Sequence, residues 1–139
     1  MAEDRELAIN ELNETDYSLI IVKDQQVKYK SKEESVGSIV GLFDNNPKLL
    51  KDSVVADKII GRAVAMVCDL GDVNFCYGQI VSQGAVDIFN KNNLPYQAEK
   101  KVKVIKNKDN TDLCPIEKLT LNVEDSVEGI KKIKEFLNN

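Results

Sequence analysis

The sequence predicts an α/β fold, a three-layer α/β/α sandwich with a mixed four-stranded sheet, and three observations support it. Two early apolar segments are separated by a polar turn, which is typical of an antiparallel hairpin. Further along the chain, strand patterns alternate with helical patterns of period 3.6, as in sheets whose strands are joined through helices. Apolar residues make up 42% of 139 residues, enough for one domain, spanning 1–139, with its own core.

The first third of the chain predicts a helix, a hairpin and a second helix. Residues 3–13 carry a one-sided apolar pattern, and residues 18–22 form an apolar strand. A polar turn leads into residues 26–30, which alternate between apolar and polar side chains. Ser35 is placed to cap the second helix, and Pro47 ends it and begins a short turn.

Residues 54–69 form the most apolar part of the chain, and we predict one central helix for the whole segment. Apolar residues fall on nearly every side of that helix, which indicates that it is buried all round. Gly61 and Ala65 lie four residues apart and would form a small-residue stripe. A glycine inside a helix costs about 1 kcal/mol relative to alanine, so we expect a packing or ligand reason for it.

The last part of the chain predicts two strands and three helical segments. Residues 73–81 are an apolar strand, Ser82 caps the helix that follows, and residues 101–104 alternate as in a strand near a sheet edge. A short helical turn begins at Cys114. The final helix opens with a capping box at Asp125 and is expected to pack four apolar residues inward, namely Val127, Ile130, Ile133 and Leu137.

Composition excludes several classes of function. The chain has no histidine, which removes His general bases, Ser-His-Asp and Cys-His catalysis and His metal ligands. A net charge of −4 and scattered lysines argue against nucleic-acid binding, and no apolar run is long enough to span a membrane. Three widely spaced cysteines predict reduced thiols in the cytoplasm, and we expect no metal and no cofactor.

Two motifs resemble those of a small prokaryotic family of unassigned function whose members have the cytidine-deaminase-like fold. The first is Asp57-x-x-x-Gly61-Arg62-Ala63-x-Ala65, and the second is Cys114-Pro115-Ile116-Glu117. The resemblance covers about residues 17 to 120 and implies the fold, in which the starts of two helices and the Cys114 turn border one pocket.

The deaminase chemistry itself is not expected here. Zinc deaminases carry His-x-Glu or Cys-x-Glu on the central helix and Pro-Cys-x-x-Cys at the start of the next one. At the corresponding places this chain has Asp57 and the segment Val81-Ser82-Gln83-Gly84-Ala85, so the zinc ligands are lacking.

Cys114 and Asp57 are the candidate reactive groups. A thiol at a helix N-terminus is favoured as thiolate by the helix dipole, so Cys114 is a candidate nucleophile or thiolate ligand. The alternative is an ordinary helix start, with Pro115 first and Glu117 helping to cap. Asp57 is either a general base or ligand contact, or a charge held by its own helix or by a neighbouring cation.

Arg62 and the start of the fourth helix are the remaining candidate ligand contacts. A guanidinium in an apolar segment suits a carboxylate or phosphate, or else it packs its stem and keeps its head in water. Ser82, Gln83 and Gly84 form a helix N-terminus after a strand, where anions bind in open α/β sheets, although a serine there also caps the helix.

Three functions are compatible with these residues. The leading hypothesis is a cytosolic small-molecule binding domain, taking a nucleobase, a nucleoside or an anionic metabolite, with Asp57, Gly61, Arg62, residues 82–84 and Cys114 around one pocket. The second is a metal-free enzyme with Cys114 as nucleophile and Glu117 or Asp57 moving protons. The third is an interaction or regulatory subunit, and exposed sheet edges make a homo-oligomer plausible.

Overall fold

The structure, a computed structural model, describes residues 2–33, 36–107, 109 and 112–138. Within these residues the chain forms five strands and six α-helices. The strands are β1 (Leu19–Lys23), β2 (Gln26–Ser31), β3 (Val54–Ile60), β4 (Phe75–Ser82) and β5 (Tyr96–Val102). The helices are α1 (Ala2–Glu14), α2 (Gly37–Asn45), α3 (Arg62–Leu70), α4 (Gln83–Lys91), α5 (Pro115–Thr120) and α6 (Ser126–Leu137).

The strands form one mixed, open sheet in the order β2-β1-β3-β4-β5. β1 pairs antiparallel with both β2 and β3, whereas β3, β4 and β5 run parallel. Each parallel connection passes through a helix, α3 or α4, as parallel pairing requires. The predicted hairpin and the mixed sheet are confirmed, but the sheet has five strands, and the prediction of four is wrong.

Helices cover the two faces of the sheet unequally. On one face α1 packs Ala8 and Leu12 against the strands in a single apolar cluster. On the other face a larger cluster joins the sheet to α2, α3, α4 and α6, with α3 in contact with each of the other helices on that side. Strand side chains alternate between the two clusters, so that Ala56 faces α1 and Val55 faces α3.

The prediction of one central helix over residues 54–69 is wrong, because the segment is strand β3 followed by helix α3. A strand in the middle of a sheet is apolar on both faces, as is a helix buried all round, so composition alone does not separate them. The decisive signal is Gly61, which is the N-cap of α3 in an extended conformation and divides the two elements. Asp57 therefore lies on a strand and Arg62 begins a helix.

Three further sequence predictions need correction. β5 begins at Tyr96, earlier than the alternating residues 101–104 suggested. Asp125 is the N-cap of α6, but its side chain makes no capping hydrogen bond. Two of the four residues predicted to pack inward from α6 are exposed. Val127 is 62% exposed, because the buried stripe of α6 is centred near Ile133 and Val127 lies about 120° around the helix from it. Leu137 is 40% exposed, because it lies in the last turn, which borders an open cavity.

Three predictions that rest on local chemistry are confirmed. The Oγ of Ser82 accepts a hydrogen bond from the N–H of Ala85 at 3.1 Å and caps α4. Pro47 opens a short 3-10 turn, and Cys114 precedes a helix whose first residue is Pro115. The cap predicted at Ser35 falls outside the described residues. In the ranges that are described, no helix is long and apolar enough to cross a membrane.

Candidate functional site

A cavity of about 510 Å³ opens at the carboxyl end of β3, a volume within the range of small-molecule pockets. Its walls come from the end of β3, the first turns of α2, α3 and α5, and the last turn of α6. Most of its lining is apolar: Leu19, Val36, Ile39, Ile59, Ala63, Val64, Ile105, Pro115, Ile116, Phe136 and Leu137. The other lining residues are Ser18, Glu33, Asp57, Lys58, Gly61, Lys106, Asn107, Cys114 and Glu117.

Asp57 brings a carboxyl group into this apolar cavity. The residue pairs with Leu19 of β1 and with Gly78 of β4, and its side chain leaves the sheet on the same face as Val55. Its Oδ1 accepts a long hydrogen bond from the N–H of Ile59 at 3.3 Å. Asp57 is half-buried and lines the cavity.

Burial raises the pKa of Asp57 from 3.8 to about 7. The main-chain N–H groups of Ile59 and Lys58 favour the ionised form and offset part of this rise. A carboxyl group that titrates near neutrality can present either one donor and one acceptor or two acceptors. Such groups occur at binding and catalytic sites, where the protein context shifts their ionisation.

Glu117 lies in the wall of the cavity, but its oxygens bind the protein itself. It is 4% exposed, its Oε1 accepts from the N–H of Arg62 at 3.0 Å, and its Oε2 accepts from the N–H of Ile105 at 2.9 Å. The prediction that Glu117 helps to cap its own helix α5 is wrong, because its two oxygens are taken by the N–H groups of Arg62 and Ile105. The carboxylate instead caps α3 and ties the segment after β5 to α3. A Cβ on Gly61 would lie 3.0 Å from that Oε1, so the missing side chain leaves room for the cap.

Arg62 is buried beside the cavity and binds main-chain carbonyl groups. Its Nε donates to the oxygen of Thr120 at 2.8 Å, one Nη to that of Val123, and the other to that of Gly84 at 3.4 Å. A Cβ on Gly84 would meet the stem of Arg62, 2.7 Å from its Cδ. Gly84 and Arg62 therefore form one packing unit that fixes α5 and the following loop against α3 and α4.

The start of α4 lies apart from the cavity. Ser82 is fully buried as the cap of its own helix, and the side-chain amide of Gln83 donates to Asp87 at 2.9 Å on the surface. Of the residues predicted to bind ligand, the structure brings Asp57, Gly61 and Cys114 into the lining, and leaves Arg62 and residues 82–84 outside it.

Cys114 is half-buried at the N-cap of α5 and faces the same cavity as Asp57. Its N–H donates to the oxygen of Ile105 at 2.8 Å, and its oxygen accepts from the N–H of Lys118 at 2.9 Å, so the main chain is held firmly. The other two cysteines, Cys68 and Cys76, are fully buried, and burial together with the Cys68 thiol raises the pKa of Cys76 well above its ordinary value.

The last turn of α6 supplies lining residues that the sequence did not suggest. Phe136 and Leu137 reach the cavity mouth from the far end of the chain, and Ile59 reaches it from β3. All three remain 40–46% exposed. Phe136, an aromatic residue beside the buried stripe of the last helix, was the one sequence feature that could have suggested this part of the site. Only the tertiary fold shows which surface it covers.

A second cavity of about 430 Å³ lies at the opposite, amino ends of the parallel strands, among polar loop residues such as Asp52, Asp72 and Asn93. It contains none of the predicted site residues. Among the residues that the structure describes, no group of three or more Cys, Asp or Glu side chains is arranged to hold a metal ion.

Comparison with known proteins identifies the family but not an activity. A search of curated proteins gave no match. A crystal structure of a DUF1893 family protein from Thermotoga maritima, at 2.70 Å resolution, superposes with a TM-score of 0.80 and 24% sequence identity, covering 94% of this chain and 86% of that one. The model of this domain of unknown function matches residues 7–137. The chain therefore belongs to the DUF1893 family.

Proposed function

We propose that this chain binds a small, uncharged heterocycle of the nucleobase type in the cavity at the end of β3, with Asp57 as the polar contact. The observation that carries this proposal is the position of Asp57. Its carboxyl group lies on a central strand, in a cavity whose other lining is mostly apolar, and it titrates near neutrality. Ligand sites commonly combine an apolar lining with one or two such polar groups.

The ionisation of Asp57 indicates which edge of a ligand it would recognise. A protonated carboxyl group offers one donor and one acceptor side by side. An amino group next to an unprotonated ring nitrogen, as in adenine or cytosine, offers the complementary pair. Ionised Asp57 would instead place two acceptors against that ring nitrogen, so binding of a neutral base should weaken as the pH rises above about 7.

An anionic ligand is the less favoured member of the predicted set. Arg62, the expected anion contact, directs its guanidinium to main-chain oxygens of Thr120 and Val123. The lining also includes Glu117, which would repel an anion. Lys58 and Lys106 are the cations of the lining, and both retain contact with solvent.

The fold assignment belongs to the same proposal. Antiparallel pairing of β1 with β2 and β3, followed by parallel β3, β4 and β5, supports the cytidine-deaminase-like fold that the motifs resembled. The cavity lies where the antiparallel and parallel parts of the sheet meet, at the carboxyl end of β3, the kind of place where open α/β sheets bind ligands. A cytoplasmic, metal-free protein stays a prediction.

The test is isothermal titration calorimetry of adenine and cytosine, their nucleosides and their 5′-monophosphates. Asp57→Leu should weaken binding of the base at least tenfold, since a buried hydrogen-bonding partner is lost. Asp57→Asn should bind with little loss and without the pH dependence, because an amide always offers one donor and one acceptor. Asp87→Ala, which changes an exposed aspartate outside the cavity, is the control.

Two results would contradict the proposal. One is that none of the bases binds to the wild-type protein. The other is that Asp57→Leu binds a base as tightly as the wild-type protein and Asp87→Ala do, which would place the ligand elsewhere.

The enzyme and subunit hypotheses stay predictions. An alkylation rate for Cys114 at pH 7 no faster than that of an ordinary exposed thiol would argue against a nucleophile. Light scattering would report self-association.

A further inference from the structure

We propose that the ligand of this cavity carries an apolar substituent, which leaves the cavity over Ile59, Phe136 and Leu137. This inference rests on the proposed function and extends it, because it names the class of heterocycle. A base with an alkyl or aryl group is expected in place of a nucleoside or nucleotide.

The distribution of exposed apolar side chains supports the inference. In the part of the chain that the structure describes, five large apolar side chains are strongly exposed: Ile59, Leu121, Val127, Phe136 and Leu137. Three of the five line one cavity, although they come from β3 and from the last turn of α6. An apolar patch at the mouth of a pocket indicates contact with something that is itself apolar.

The rest of α6 fixes the position of this mouth. Ile130 and Ile133 are buried against α3, and the Oγ of Ser126 donates to Asp69 at 2.7 Å. Lys134 forms an ion pair with Asp44 of α2. The last turn is thus carried to the cavity by a helix that is anchored on two neighbouring elements.

The chemistry of the mouth disfavours a sugar. A ribose placed there would set its hydroxyl groups against Ile59, Phe136 and Leu137 and lose hydrogen bonds to water. A butyl group in the same place would lose apolar contact with water and pack on the same three side chains. Phe136 is the aromatic residue of the lining, and an aromatic ring packs well with either an alkyl or an aryl group.

Adenine, 9-butyladenine and adenosine test the inference by calorimetry, because they share the amino–ring-nitrogen edge and differ at position 9. With the wild-type protein, 9-butyladenine should bind about tenfold more tightly than adenine, from partial burial of four carbons, and adenosine should show no such gain. Leu137→Ala and Phe136→Ala should each reduce that gain to about threefold or less.

Leu121→Ala is the matched control, because it removes the same atoms as Leu137→Ala at a similar exposure, 44% against 40%, away from the cavity. It should leave the gain unchanged. Urea unfolding of each variant checks that the fold is retained, and Phe136→Ala gives a second reading if Leu137→Ala is destabilised.

The outcomes separate the two proposals. If adenine binds through Asp57 but the butyl group adds nothing, or its gain survives both mouth substitutions, the apolar-substituent inference is wrong and the proposed function stands. If adenine, cytosine and their butyl derivatives all fail to bind, both are wrong. If the wild-type protein is a dimer that Leu137→Ala dissociates and Leu121→Ala does not, the mouth is a contact between copies, and the inference is overturned.

Discussion

Gly84→Ala tests whether Arg62 and Gly84 form one packing unit beneath the cavity wall. Alanine in place of a helical glycine would by itself stabilise the protein by up to about 1 kcal/mol. At Gly84, however, the new Cβ would meet the stem of Arg62, 2.7 Å from Cδ, and Arg62 is only 6% exposed, so the stem has little room to move.

The expected net effect is a loss of about 2 kcal/mol or more in the free energy of unfolding. Overpacking a dense site costs about 1–3 kcal/mol, and displacing the guanidinium weakens hydrogen bonds to Thr120 and Val123 that are worth about 1.5–3 kcal/mol each when charged. These losses exceed the gain in helix propensity.

Gly41→Ala is the matched control, since Gly41 lies inside α2 and a Cβ there would meet no atom within 4 Å. Urea unfolding should show Gly41→Ala stabilised by about 0.5–1 kcal/mol and Gly84→Ala destabilised. In an Arg62→Ala background, Gly84→Ala should cost nothing, because Cγ and Cδ are gone. Equal effects of the two glycine substitutions in the wild-type protein would refute the reasoning.

Three other substitutions test the site and its supports. Burial raises the pKa of Asp57 from 3.8 to about 7, so the ionised carboxylate destabilises the fold and the free energy of unfolding should decrease as the pH rises between those values. At pH 8 Asp57→Asn should be more stable than the wild-type protein by about 1–2 kcal/mol, a figure that allows for water at a half-buried group. At pH 4 the two proteins should be equally stable. A pH-independent difference in thermal unfolding would contradict this. Glu117→Gln should lower the free energy of unfolding in urea by about 1–3 kcal/mol, because the NH2 group of glutamine cannot accept a hydrogen bond and would face the N–H of either Arg62 or Ile105. A loss below about 0.5 kcal/mol would argue against the cap. Ser82→Ala should cost about 1 kcal/mol through loss of the bond from Ala85, and an unchanged unfolding midpoint would show that this cap contributes nothing.

Local chemistry made much of the fold predictable, and tertiary context hid the rest. Ser82 and Cys114 were placed correctly at helix starts because capping and proline preferences depend on a few adjacent residues. The secondary structure of residues 54–69 was predicted wrongly, because a strand and a helix that are both fully buried have the same apolar composition. The boundary between strand and helix lies at Gly61. A glycine is needed there because a side chain would crowd the carboxylate of Glu117, which comes from a helix more than fifty residues further along the chain.

The candidate site shows the same division. The two motifs pointed to Asp57, Gly61 and Cys114, which line one cavity. The sequence offered no means of assigning Arg62, since its partners are carbonyl groups, which every residue has. Phe136 was missed because its role depends on where the last helix ends over the sheet.

The measurement that most directly tests the central claim is the pKa of Asp57, followed by NMR of its carboxyl carbon, in the free protein and with saturating adenine or 9-butyladenine. The free protein should give a pKa of about 7. A bound neutral base that pairs with the protonated carboxyl group should raise it further, because binding favours that form. A pKa of Asp57 that is the same with and without the base would contradict the account.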